Sequence, residues 1–132
     1  MRFLILLLIV LFFCGCTRRV PFDMDILNGY YVSAQHSYDE MNLGFGDENG
    51  GEEVIGATII SIGCQDSLIF VKRHPRNFPS PPDKSITEYY IIISNKHHSF
   101  TKANVIGPLT ESEFYKKMQE MRKIPPRFSI VF

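Results

Sequence analysis

The sequence has no excess of either charge: fourteen Lys and Arg balance fourteen Asp and Glu over 132 residues. Such a chain exerts no overall pull on a polyanion, which argues against nucleic acid as a partner. Three cysteines are too few for a disulfide-stapled scaffold. There is no G-x-S-x-G, no H-E-x-x-H, no P-loop and no dinucleotide fingerprint, so acyl transfer, zinc hydrolysis and nucleotide chemistry lack their sequence marks. No nucleophile and base are visibly arranged as partners. The chain therefore reads as non-enzymatic, with no catalytic residue, metal ligand or cofactor assigned. Hydrophobic residues make up 45% of it, which excludes a disordered or fibrous chain. The length suits a single domain.

The N-terminus stands apart from that domain. Met1-Arg2 is followed by twelve apolar residues, Phe3 to Cys14. About 20 are needed to span a bilayer as a helix, whereas a signal-peptide core needs about 7–15. The run ends in Phe13-Cys14-Gly15-Cys16, similar to a bacterial lipobox, although Phe13 and Cys14 depart from the usual Leu and Ala or Ser. On that reading residues 1–15 are a signal peptide and Cys16 is the lipidated first residue. Its thiol carries diacylglycerol and its freed amine a further acyl chain such as palmitate. Several chains give stable anchoring where one is marginal. A simple secreted protein or an uncleaved anchor are the other readings. The expected location is the exported side of a bacterial cell membrane or outer membrane.

Residues 16–26 are expected to form the lipidated start and a tether, and residues 27–132 a single domain. With Cys14 removed and Cys16 lipidated, only Cys64 remains, and burial as a small hydrophobe is its expected role. Charge is distributed unevenly. Val20 to Val71 has nine acids and no Lys or Arg, while Lys72 to Phe132 has eleven bases and five acids. Either the halves pair within one domain or a polar surface steers a charged partner.

Periodicity gives an α+β fold: a small antiparallel sheet of about five strands with one C-terminal helix on one face. Strands are expected in Leu27–Gln35, Val54–Ile62, Ser67–Arg73, Thr87–Ser94 and Phe100–Ile106, with a last short one within Arg127–Phe132. The doubly apolar Val54–Ile62 run suggests a central strand, joined by a Gly63–Asp66 turn to its neighbour. Ser37–Glu52, with four glycines, reads as a loop. His74–Ser85, with four prolines, reads as an extended loop. The helix is expected over Thr110–Lys123. Thr110 and Glu113 form a capping box, Leu109 and Phe114 a hydrophobic staple, and Phe114, Met118 and Met121 the buried stripe. Pro125-Pro126 stops it.

Tyr89-Tyr90-Ile91-Ile92, followed by Gly107-Pro108-Leu109-Thr110-x-x-Glu113-Phe114, resembles the C-terminal half of a family of small uncharacterised bacterial lipoproteins. The resemblance spans about residues 27–125 and is specific over 88–115, with the His74–Ser85 loop and the His97-His98 turn as local departures. It implies a lipobox, a compact β-rich domain and one late helix, and carries no activity.

Asp39-Glu40 and Asp47 to Glu53 make an acidic, glycine-rich stretch; it is either a solvated loop or a calcium site that misses the EF-hand pattern at Gly51. Adjacent His97 and His98 point to opposite faces of an extended segment, which is awkward for one metal. Cys64 has no flanking nucleophile motif. Lys72, Arg73 and Arg76 lead into the proline loop, where Phe78 stands as an apolar candidate anchor for a protein or anionic partner, including lipid head groups. The expected function is a membrane-tethered envelope lipoprotein that binds a partner or serves an accessory role. The alternatives are a small envelope hydrolase using Cys64 or the acidic loop, and an inhibitor or immunity-type protein.

Overall fold

The protein is described by a computed structural model over residues 22–47, 50–95 and 100–132. Alternation builds its first sheet. In β1 (Phe22–Leu27) the apolar Phe22, Met24 and Ile26 turn to the core and Asp23 and Asp25 to water. In β2 (Tyr30–Ala34) Tyr30, Val32 and Ala34 are buried. Asn28-Gly29 joins the two strands with φ of 50° and 87°, as a two-residue hairpin turn of this hand requires. β3 (Asn42–Asp47) and β4 (Gly50–Ile55) complete the antiparallel order β1-β2-β3-β4.

The stretch 37–52, expected as a loop, is therefore a 3-10 turn (Tyr38–Glu40) followed by most of a hairpin. Two of its four glycines make room for a side chain. A Cβ at Gly44 or Gly51 would overlap the Tyr31 ring, which lies across both positions. The sheet also starts at Phe22, ahead of Leu27, so residues 22–26 belong to a strand. The expected signal peptide, Cys16 and the remainder of the expected tether lie outside the described residues.

The second sheet contains β5 (Ile59–Gln65), β6 (Leu68–Arg73), β7 (Glu88–Ile93), β8 (Val105–Leu109) and β9 (Ile130–Val131). Its order is β8-β7-β6-β5-β9, all antiparallel. The fold is thus β-rich α+β, but the single sheet expected from the sequence is two sheets of four and five strands. The Val54–Ile62 run is divided between them. β4 ends at Ile55, residues 56–58 cross over, and β5 begins in the other sheet. Both parts contribute to the same core, so the apolar run does not mark the crossing.

The second sheet is covered on both faces. Ile62, Ile69, Val71, Tyr90 and Ile92 meet Tyr30, Val32, Leu43 and Ile55 of the first sheet. On the opposite face Leu68, Phe70, Tyr89 and Ile91 meet Phe114 and Met118 of the helix α1 (Glu111–Glu120). Double coverage explains why β6 and β7 are unbroken apolar runs while β1 alternates. Truncating a fully buried ring such as Phe70 or Phe114 to Ala should cost about 3–5 kcal/mol.

α1 is shorter than the expected Thr110–Lys123, ending at Glu120 with Met121 as its C-cap. Its start matches the expectation. The Thr110 hydroxyl accepts from the Glu113 amide at 3.3 Å, and the Glu113 carboxylate accepts from the Thr110 amide at 2.8 Å. Leu109 packs in the same apolar cluster as Phe114. The return strand expected at Phe100–Ile106 lies further along, as β8 after a 3-10 turn at Lys102–Asn104. The expected terminal strand narrows to β9, two residues on the open side of β5.

Thr110→Ala should lower stability by about 0.5–2 kcal/mol, read by denaturant unfolding, because a helix N–H loses its acceptor. An unchanged midpoint would mean that the cap contributes nothing. The Thr110 backbone N–H also holds the Glu113 carboxyl below its usual range. A depressed folded-state pKa means that this contribution is present above the ordinary carboxylate pKa and is lost as pH falls through the folded value. Glu113→Gln should therefore flatten the acid side of the stability profile.

Candidate functional site

The proline-rich segment leaves the second sheet at Arg73 and re-enters it at Glu88. Four prolines keep it out of the ladder, and its own hydrogen bonds shape it. His74 and Thr58 exchange backbone hydrogen bonds of 3.0 and 2.9 Å, fixing one stem. The His74 Nδ1–H donates to the Ile86 carbonyl at 2.8 Å, fixing the other. Between them the Asp83 amide donates to the Pro75 carbonyl at 2.9 Å, and the Ser80 amide to the Asn77 carbonyl at 2.9 Å. The Asp83 carboxylate accepts from the Ser85 hydroxyl and amide, which hold it below the usual carboxylate range. Pro82 is buried.

The basic residues that introduce this loop are structural braces. Lys72 lays its stem against the helix-side cluster, with Nζ 4.2 Å from the Phe128 ring centroid and 5.3 Å from that of Tyr89. Arg73 donates from Nε to Glu88 at 2.6 Å and from Nη1 to the Gly56 carbonyl at 3.1 Å, with its guanidinium over Tyr90. The Tyr90 hydroxyl donates to the same Glu88 oxygen at 2.9 Å. Burial, and Glu88 holding its proton, push that phenol up to about 12. Arg76 donates to the Ser80 carbonyl at 2.9 Å and to the Asp39 carbonyl at 3.0 Å, tying the loop to the 3-10 turn. The guanidinium also sits 5.7 Å from the Phe78 ring centroid.

Phe78 is left at the tip, 81% exposed. Of the four residues expected to contact a partner, Lys72, Arg73 and Arg76 build the support and Phe78 is displayed by it. The Arg73–Glu88–Tyr90 group was not foreseen. Its only sequence signal is that Arg73 and Glu88 end two adjacent apolar strands, which places them directly opposite.

The other candidates do not converge. Cys64 lies on β5 and is exposed rather than buried. Nearby protein atoms still push its thiol up by desolvation, which disfavours the thiolate that a nucleophile needs. Glu52 and Glu53 are neighbours on β4 and alternate across the sheet. Glu40 is taken up by His36 at 3.0 Å, and that hydrogen bond lowers its pKa. Among the described residues no group of three or more His, Cys, Asp or Glu is placed to hold a metal ion. Asp23, Asp25 and Tyr31 line an open depression of about 970 Å³ on the solvent face of the first sheet. His97 and His98 lie outside the described residues. Among the four described ion pairs, only Lys123–Asp66, at 3.1 Å, joins the basic and acidic halves. The halves meet instead through apolar packing, the β6–β7 and β5–β9 ladders and neutral hydrogen-bond acceptors such as the Asp39 carbonyl.

A family defined as proteins of unknown function, DUF3997, matches residues 28–130. The chain belongs to this family. The matched span nearly coincides with the 27–125 span of the resemblance read from Tyr89–Ile92 and Gly107–Phe114. No curated protein and no solved structure matches the chain. The DUF3997 span takes in β2 to β8, α1 and the whole of the braced loop, and begins just after β1.

Arg76→Ala should cost about 1 kcal/mol and open residues 76–80 to limited proteolysis. Unchanged cleavage there would show that the prolines alone hold the loop. For Cys64, alkylation followed by mass spectrometry of its peptide should be slow near neutrality and keep rising beyond the ordinary thiol pKa. Fast labelling at neutral pH would contradict the raised value.

Proposed function

We propose that the protein is a lipid-anchored envelope protein, held at Cys16 on the exported side of a bacterial membrane, and that it works as a non-enzymatic binding or accessory module through the loop carrying Phe78. The observation that carries the contact surface is the exposure of Phe78 on a segment fixed by its neighbours. A large apolar side chain in water on a flexible loop would lose entropy on binding, whereas one already held in place loses little. The apolar run ending in Gly15-Cys16 supports the anchoring. The raised Cys64 thiol and the divided acidic residues favour binding over hydrolysis.

The test places a photo-crosslinkable phenylalanine analogue at position 78 of the full chain in its native membrane. It should give adducts well above those of the same analogue at Ser112, which is exposed on α1. Equal yields at the two positions would contradict the assigned surface. Cys16→Ser should move the chain from the membrane fraction to the soluble one or block its processing. Unchanged fractionation and mass would contradict the anchor.

A further inference from the structure

We propose that the loop-bearing end of the domain rests on the lipid surface itself, with Phe78 in the head-group layer of the membrane that holds Cys16. This rests on the lipid-anchor reading above and names the partner of the Phe78 loop.

The strand register gives the domain two ends. Phe22, Ala34, Arg73 and Glu88 mark one. The Asn28-Gly29 turn, Ser67 and Ser94 mark the other, joined by Asn28 Nδ2 to Ser94 Oγ at 2.9 Å and Ser94 Oγ to the Ser67 carbonyl at 2.8 Å. The chain enters at the first end. The Phe22 ring packs on Tyr38 and Phe132 at centroid distances of 5.9 and 5.7 Å. Tyr38 precedes Asp39, whose carbonyl accepts from Arg76 at 3.0 Å. The Phe78 loop is thus linked directly to the place where the chain enters.

Only five residues separate Cys16 from Phe22. Fully extended, that tether reaches roughly 20 Å, so lipid at Cys16 keeps this end close to the bilayer. The exposed apolar side chains of this end suit such a setting: Phe78 at 81%, Val131 at 74% and Tyr38 at 60% exposure. Tyr38, Lys84 and Val131 share one open groove of about 570 Å³. Aromatic rings partition to the head-group level, and long basic side chains reach the phosphates there. Arg76 beside the Phe78 ring and Lys84 on the groove supply those cations. The acids near the loop are Asp83, whose carboxylate Ser85 occupies, Glu40, which His36 holds, and Glu53, which with Glu40 lines the depression beside Phe78.

The sequence contains no tryptophan, so Phe78→Trp introduces a single indole at an exposed position. The full-length, lipidated variant is placed in vesicles of phosphatidylethanolamine and phosphatidylglycerol, with or without bromine on the acyl chains. Its emission should shift to the blue relative to the same variant carrying Cys16→Ser in solution, and brominated lipid should quench it. Ile93→Trp, at the opposite end, should show the same emission in vesicles as in solution and resist quenching. If the chain binds vesicles through Cys16 while the indole at position 78 stays aqueous and unquenched, the proposal falls, the anchor stands, and Phe78 is left for a protein partner. If the chain with Cys16 intact does not associate with vesicles, both the anchor and this proposal fall.

Discussion

The two-sided burial of the central sheet is the constraint on which the rest of the structure depends. Over Leu68–Val71 and Tyr89–Ile92, β6 and β7 have no solvent face: Ile69, Val71, Tyr90 and Ile92 pack toward the first sheet, and Phe70, Tyr89 and Ile91 toward α1. Polar chemistry is therefore pushed to the ends of these strands. At one end Ser94 links Asn28 to Ser67. At the other, Glu88 accepts from both Arg73 and Tyr90. The side chains of Arg73 and Glu88 are each only 21% exposed, so removing either would leave the other's charge poorly solvated, a change that is costly in partly buried settings.

That arrangement also determines what the loop can offer. The basic residues that the sequence places before the prolines are drawn into support: Lys72 covers Phe128, Arg73 holds Glu88 and Arg76 holds two carbonyls. The side chain they leave in water is Phe78. Nothing in either apolar cluster depends on its ring. Contact and stability are thus separated, and the loop can make contacts without loosening the core.

Much of the fold was legible where local chemistry decides structure. The capping box at Thr110 and Glu113, the stripe of Phe114 and Met118, and the β6 and β7 strands follow from spacing alone; β5 does not, since it runs to Gln65 through the expected Gly63–Asp66 turn. What was not legible depended on distant partners. Val54–Ile62 has apolar residues at both of its ends because both parts face one core, so the hydrophobic pattern does not mark the crossing at residues 56–58. The β3–β4 hairpin was hidden by its glycines, which weaken a strand reading; for Gly44 and Gly51 the reason is the Tyr31 ring from β2. Of the candidate site, Phe78 stood out from sequence as an apolar residue among prolines. The bracing by Arg76 could not, because its acceptor on Asp39 lies 37 residues away. The exposure of Cys64 likewise depends on how the second layer covers β5.

Native-state hydrogen exchange across the full chain tests the central claim most directly. If the doubly covered sheet holds the fold together, the amides of β6 and β7 form the slowest class and exchange only through global unfolding. The amides of residues 77–80 then exchange far faster, without that event. A slowest class located in β1–β4, or one that includes the tip of the Phe78 loop, would contradict the account.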